Sequence, residues 1–95
     1  MTCGELAKLT SALGHEVRLR VLSLLSDGRE RYLSEIANSL GISRALAKVH
    51  LKVLERAGLV ESRLVLDRER GKALRYYKAR EFELHLNLEV LREVC

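Results

Sequence analysis

The sequence predicts a mainly α-helical domain with one small β-hairpin, which places it in the α+β fold class. Apolar residues recur at spacings of three and four through residues 5–57, a pattern typical of amphipathic helices. From residue 59 to residue 79 the pattern changes. Two runs rich in β-forming residues, "LVESRLVL" and "ALRYYKA", flank the charged segment "DRERGK", and this arrangement predicts a hairpin.

Length and composition indicate a single domain that spans residues 1–95. Hydrophobic residues make up 47% and charged residues 32% of the chain, which is typical of a globular protein rather than a disordered one. No apolar run approaches the ~20 residues that span a bilayer, and the first residues do not resemble a signal peptide. We therefore expect a cytoplasmic protein without a membrane partner. The net charge of +4 weakly favours an anionic partner such as nucleic acid.

Four helices are predicted before the hairpin. "GELAKLTSALG" and "HEVRLRVLSLLSDG" each show helical apolar spacing and end at glycine. "LSEIANSLG" is a short amphipathic helix that ends at Gly41. Ser43 is a natural N-cap for a longer helix over residues 43–57, and Gly58 follows that helix.

The last segment, "REFELHLNLEVLREVC", allows two interpretations. Strict alternation of apolar and polar residues argues for a strand. Leu and Glu, however, are strong helix formers, and only the two valines are β-branched. We prefer a helix over residues 80–94. It would carry two apolar stripes, of which one could cover the core and the other a second subunit.

The helix over 33–40, the tight turn "GIS" and the helix over 43–57 have the sequence form of a helix-turn-helix, and the hairpin makes it a winged one. Winding 43–57 at 3.6 residues per turn divides it into two arcs. The predicted buried arc contains Leu46, Ala47, His50, Leu51, Val53, Leu54 and Ala57. The predicted free arc contains Arg44, Ala45, Lys48, Val49, Lys52, Glu55 and Arg56.

The free arc is mainly basic, so its cations could pair with DNA phosphates, and Arg44 could bind guanine through two hydrogen bonds. The alternative is an ordinary solvated helix face. Ala45 and Val49 could touch a thymine methyl group but cannot form a hydrogen bond with a base edge. We therefore expect little direct base recognition, a larger share of phosphate contacts and marked salt dependence.

Three segments, "HEVRLRVLSLL", "LSEIANSLGIS" and "HLKVLERAGLV", with a following hairpin that ends in "RYYKA", resemble the ArsR-type winged helix-turn-helix repressors. The resemblance covers nearly the whole chain. It implies a homodimer whose first and last helices form the dimer interface, and it implies operator DNA as the partner. Members often carry His or Gln where this chain has Val49, and Thr where it has Leu46. Many are released from DNA by a metal ion or another signal; no effector is predicted here.

The resemblance implies that wing residues 66–73 contact the adjacent groove of double-stranded DNA. The alternative is an exposed hairpin whose charges only keep it soluble. Asp67 and Glu69 favour this alternative, because they offset part of the positive charge of the wing. The alternative for Arg63 and Arg75 is pairing with acidic neighbours across the strands. The predicted DNA-binding residues are Ser43, Arg44, Ala45, Lys48, Val49, Lys52, Arg68, Arg70 and Lys72.

No metal, cofactor or catalytic residue is predicted. The third helix lacks the paired cysteines of metal-sensing members, and no nucleophile–base motif or Gly-rich phosphate loop is present. We expect His50 to be a packed core histidine and His15 to be exposed. If the first and last helices pack together, Cys3 and Cys95 could form a thiol switch or a structural disulfide, within or between subunits. The alternative is two unrelated thiols at the chain ends.

The sequence therefore predicts a dimeric DNA-binding transcriptional regulator that inserts helix 43–57 in the major groove. A second hypothesis is a winged-helix module used for protein assembly, or for non-specific coating of DNA. The aliphatic Val49 and the mixed-sign wing keep this alternative open, because a fold by itself does not fix a function.

Overall fold

The computed structural model describes residues 1–95 and contains five α-helices and three β-strands. A short 3-10 turn, Leu25–Asp27, follows the second helix. The elements in chain order are α1 (Cys3–Leu13), α2 (Glu16–Leu24), β1 (Arg31–Tyr32), α3 (Leu33–Leu40), α4 (Arg44–Arg56), β2 (Val60–Asp67), β3 (Lys72–Ala79) and α5 (Leu88–Val94).

Local signals in the sequence start and stop the first four helices. The Thr2 side chain accepts a hydrogen bond from the Glu5 backbone N–H at the start of α1, and Ser43 does the same for the Leu46 N–H at the start of α4. Gly41 has a φ of 66°, a left-handed conformation that ends α3 and turns the chain into α4. The predicted helix-turn-helix is therefore confirmed, with residues 41–43 between its two helices.

One hydrophobic core lies between α1, α2, α3, α4 and the base of the hairpin. Its largest fully buried side chains include Leu25, Ile36, Leu51 and Leu54. Burying a side chain of this size stabilises a fold by about 1.5–3 kcal/mol. The ten buried members of the core are Ala12, Val21, Leu22, Leu25, Ile36, Leu51, Leu54, Leu59, Val60 and Tyr77.

Three antiparallel strands form the sheet in the order β1-β3-β2. The register of the hairpin runs from Val60 opposite Ala79 to Asp67 opposite Lys72, which confirms the predicted wing. The short strand β1 was not predicted. Its two residues pair with Tyr77 and Tyr76 of β3, more than 40 residues away, so no local periodicity could reveal it.

The C-terminal segment corrects the prediction of a helix over residues 80–94. Residues 80–87 are neither helix nor strand, and α5 occupies only Leu88–Val94. The Asn87 side chain accepts a hydrogen bond from the Val90 N–H, so this residue caps a helix that starts there. The alternating apolar residues upstream cannot form one helical face, and Phe82 and Leu86 remain exposed.

Candidate nucleic-acid interface

Helix α4 presents its polar face to solvent because the opposite face is buried in the core. Ala47, Leu51 and Leu54 are completely buried, and His50 is 6% exposed. These four side chains recur at spacings of three and four, so they form one face of the helix, which packs against the core. Leu46 corrects the prediction for this face. It is 43% exposed, because it lies at the edge of the arc rather than beneath a neighbouring element.

The free face of α4 carries the cations that the sequence predicted. Arg44, Lys48 and Lys52 are all exposed, and none forms a salt bridge within the chain. Ser43, Ala45 and Val49, the other predicted contacts on this helix, are exposed as well. The structure therefore brings six of the nine predicted residues together on one surface. These cations are therefore available to an external anion.

The remaining three predicted residues lie at the turn of the wing. Asp67 organises that turn, since its Oδ1 accepts hydrogen bonds from the backbone N–H groups of Glu69 and Arg70. The Arg70 guanidinium also lies 3.7 Å from Asp67 Oδ2, which engages part of its charge. Arg68 and Lys72 have no acidic partner.

Arg75 joins the surface of α4, although it was not among the residues predicted to bind DNA. It stands opposite Leu64 in the register and on the same face as the buried Tyr77, so it points towards α4. Arg75 borders one cleft with Arg44 and Lys48, and a second with Lys48 and Lys52. The position of Tyr77 two residues later is the signal that could have identified it, because alternate residues share a face.

A short hydrogen-bonded chain fixes the wing against α4. Arg75 Nη1 donates to Ser62 Oγ at 3.1 Å, and the Ser62 hydroxyl donates to Glu55 Oε2. Glu55, which the sequence suggested as a free surface charge, thus links the helix to the base of the hairpin. The prediction that Arg75 pairs with an acid is wrong, since its partner is a hydroxyl group.

Arg63 lies on the opposite face of the hairpin, and its guanidinium is paired with an acidic side chain. Its guanidinium contacts Glu30, with Nη2 at 2.7 Å from Oε2 and Nε donating to both carboxylate oxygens. These hydrogen bonds hold the pKa of Glu30 below its usual range. Arg63 also lies over the Tyr76 ring, 5.9 Å from its centroid. Its acidic partner precedes β1 rather than lying on a paired strand of the hairpin.

His50 and His15 connect α4 with the start of α2. Their ring centroids are 4.5 Å apart, and His15 Nδ1 accepts a hydrogen bond from the Val17 N–H and thereby caps α2. His15 is exposed and His50 is buried, as predicted. Burial lowers the pKa of His50, and the nearby His15 and Arg18 lower it further. His50 Nδ1 is buried without a hydrogen-bond partner.

The structure joins Cys3 and Cys95 in a disulfide bond within one chain, with Cα atoms 4.8 Å apart. The bond fastens the end of α5 to the beginning of α1. It is the principal attachment of α5, because that helix buries none of its side chains. Both cysteines are exposed.

No group of three or more His, Cys, Asp or Glu side chains is arranged to hold a metal ion. None of the five helices has the length and the apolar character that crossing a membrane would require.

Comparison with known proteins identifies close relatives. A family model for a helix-turn-helix domain matches residues 13–63. An uncharacterised HTH-type transcriptional regulator of Methanocaldococcus jannaschii is 36% identical over 90 residues, which cover 95% of this chain and 92% of the relative.

Solved structures agree with this match. The chain resembles a homodimeric winged helix-turn-helix DNA-binding domain from Mycobacterium bovis, a possible ArsR-family regulator. The TM-score is 0.66 and the identity 34%, over 80% of this chain and 64% of that one. It also resembles the transcriptional repressor BigR from Xylella fastidiosa, with a TM-score of 0.67 and 29% identity, over 82% and 72% of the two chains. The predicted winged helix-turn-helix fold is confirmed.

Proposed function

This chain belongs to the helix-turn-helix transcriptional regulators, and we propose that it is a dimeric, sequence-specific DNA-binding regulator of the ArsR type. In this proposal α4 enters the major groove and wing residues 66–73 reach the adjacent groove. The role is one of binding rather than catalysis, and it places the protein with DNA in the cytoplasm.

The observation that carries the proposal is the basic surface formed by the two clefts between α4 and the wing. Arg44, Lys48, Lys52 and Arg75 border these clefts, and no acidic side chain neutralises them through a salt bridge. Four such cations on one surface suit a run of backbone phosphates, which neutralise them as counterions are released from the DNA. Arg68 and Lys72 extend the same positive surface to the tip of the wing.

Pairing of two chains is part of the same proposal. The α5 helix has no buried side chain, and Leu88 at its start is 81% exposed. A second copy that covers α1 and α5 would bury this apolar surface. The Mycobacterium bovis relative is a homodimer. Two-fold pairing would place two α4 helices about one DNA turn, roughly 34–36 Å, apart on an inverted repeat.

The Cys3–Cys95 bond has a regulatory role in this proposal. Because the bond attaches α5 to α1, it prepares the surface on which two chains pair. A dithiol reductant that supplies two electrons and two protons would convert the exposed disulfide to two thiols. We expect the reduced protein to dimerise and bind DNA more weakly than the oxidised one. Equal affinities would leave the bond with a structural role only.

The test of the DNA interface compares a double variant with a control variant by fluorescence anisotropy over a range of salt concentrations. The double variant Arg44→Ala, Lys48→Ala should lower the slope of log affinity against log salt by about two, since each phosphate contact contributes about one. Arg29→Ala removes an exposed arginine outside these clefts and serves as the control. Unchanged affinity in the double variant would contradict the assignment of α4.

A second candidate function is protein assembly, and one observation favours it. Leu64 and Leu66 are exposed on the face of the wing that looks towards α4. An assembly module would cover them with another protein and would bind no duplex. Non-specific coating would bind every duplex equally and would be lost to competitor DNA, whereas sequence-specific binding survives an excess of competitor.

A further inference from the structure

The outward surface of α4 divides along the helix into a basic half and an apolar half. The basic half faces the wing, because Arg44, Lys48 and Lys52 border the clefts shared with β3. The apolar half lies further from the wing and carries a strip of three exposed side chains, Ala45, Leu46 and Val49, in the first two turns of the helix. The exposed Arg56 follows this strip at the end of the helix. At about 100° per residue, Ala45 and Val49 lie nearly opposite the buried face, so they project furthest from the domain.

The apolar half has no partner within the chain. Val49 is 59% exposed, although it is a β-branched residue in the middle of a helix and gains nothing in helix propensity there. Its neighbours one turn away along the same strip are Ala45 and the partly buried Val53. Covering this surface with another apolar group would remove its side chains from water, which is favourable.

The neighbouring charges indicate what that group is. The strip lies beside three cations that have no acidic partner, so the surface that covers the strip must also present negative charge beside it. The major groove of DNA does so, with phosphates along its edges and one apolar group on its floor, the C5-methyl of thymine. None of the three side chains can form a hydrogen bond with a base edge, so they cannot distinguish guanine, adenine or cytosine in that way.

We propose that Ala45, Leu46 and Val49 form a thymine-methyl reader, which makes thymine content the main base preference of each half-site. This inference rests on the proposed DNA-binding function. Ala45 and Val49 are four residues apart, about 6 Å along the helix axis, which is close to two base-pair steps. A pair of thymines within one half-site therefore satisfies both side chains, while the adjacent cations hold the backbone.

The experiment replaces single thymines with deoxyuridine in a duplex recovered from a random-sequence selection. This change removes one methyl group and leaves every hydrogen-bonding group of the base unchanged. Removing the methyl group of a thymine that faces the strip should lower the affinity of the protein for the duplex about fourfold. The Val49→Ala variant should bind the thymine duplex more weakly and should no longer distinguish it from the uracil duplex at one position.

Lys52→Ala provides the matched control on the same helix. It should weaken binding to both duplexes by the same factor and keep their ratio, because a phosphate contact does not sense the methyl group. Val49 is exposed, so its truncation leaves the core intact and a lost contact is not confused with unfolding.

Three results would overturn the inference. If the duplex binds but no uracil substitution within the half-sites lowers affinity, thymine-methyl recognition is wrong while the DNA-binding function stands. If the uracil penalty is unchanged in both Val49→Ala and Leu46→Ala, the reader lies elsewhere. If no duplex is bound, the proposed function fails and this inference with it, and a protein partner for the strip takes its place.

Discussion

The disulfide between Cys3 and Cys95 should dominate the stability of the isolated domain. The two residues are 92 positions apart, so the bond closes nearly the whole chain into one loop. In the chain-entropy model, a loop of this length loses enough freedom in the unfolded state to stabilise the folded state by about 4–5 kcal/mol. A domain of this size has a total stability of roughly 5–15 kcal/mol, so the effect is a large share of it.

Little of this stabilisation comes from native contacts, since α5 buries no side chain. Loss of the bond should therefore act mainly on the unfolded chain. Urea unfolding at one fixed protein concentration should show a lower midpoint for the Cys3→Ser variant. The slope m should rise as well, because the unfolded chain without the bond is more expanded. The melting temperature should fall by roughly 20 °C.

A double-variant cycle isolates the bond from the side chains. Cys3→Ser, Cys95→Ser and the double variant should have the same stability, and so should the reduced native chain, because each change breaks the same bond. Additive losses in the two single variants would show that local packing of the sulfur atoms matters instead. A difference of less than about 1 kcal/mol between the oxidised and reduced chains would refute the loop argument.

Three further predictions concern the core, the wing and a buried histidine. Leu54→Ala removes a fully buried side chain and should lower the free energy of unfolding in urea by about 2–5 kcal/mol; Leu66→Ala, at an exposed site, should change it by less than about 0.5 kcal/mol. Arg75→Ala should weaken DNA binding and lower the salt slope by about one, while Arg63→Ala, on the other hairpin face, leaves both unchanged; equal losses would refute the placement of Arg75. The pKa of His50 is lowered below its ordinary value of 6.5, so the unfolded chain binds a proton more readily than the folded one, and stability should fall as pH drops below that value. His50→Gln should reduce this loss of stability between about pH 7.5 and about pH 5.5, as measured by urea midpoints. If the dependence of stability on pH is unchanged in the variant, other groups cause the loss.

Elements with strong local signals could be predicted from the sequence. Helix α4 has an N-cap at Ser43, a glycine after its end and apolar residues at helical spacing, and each of these signals acts within a few residues. The hairpin was equally accessible, because its two strands are adjacent in sequence and Gly71 permits the turn between them. The basic free face of α4 followed directly from the helical period.

Features that depend on distant residues could not be predicted in this way. Strand β1 exists only because β3 pairs with it. The Cys3–Cys95 bond joins residues at opposite ends of the chain, so the sequence could pose the question but not settle it. Residues 80–87 combine an alternating apolar pattern with strong helix formers, and these local preferences conflict. Arg75 needed the register of the hairpin before its face was known.

In the proposed function, two copies of this chain recognise one DNA sequence through α4. The most direct measurement is a selection of bound duplexes from a random pool, with the oxidised protein and a large excess of non-specific DNA. The expected result is an inverted repeat whose half-sites are about one helical turn, roughly 10 base pairs, apart from centre to centre. Recovery of no common sequence, with binding that is lost at moderate salt, would contradict it and would identify a non-specific DNA-coating protein.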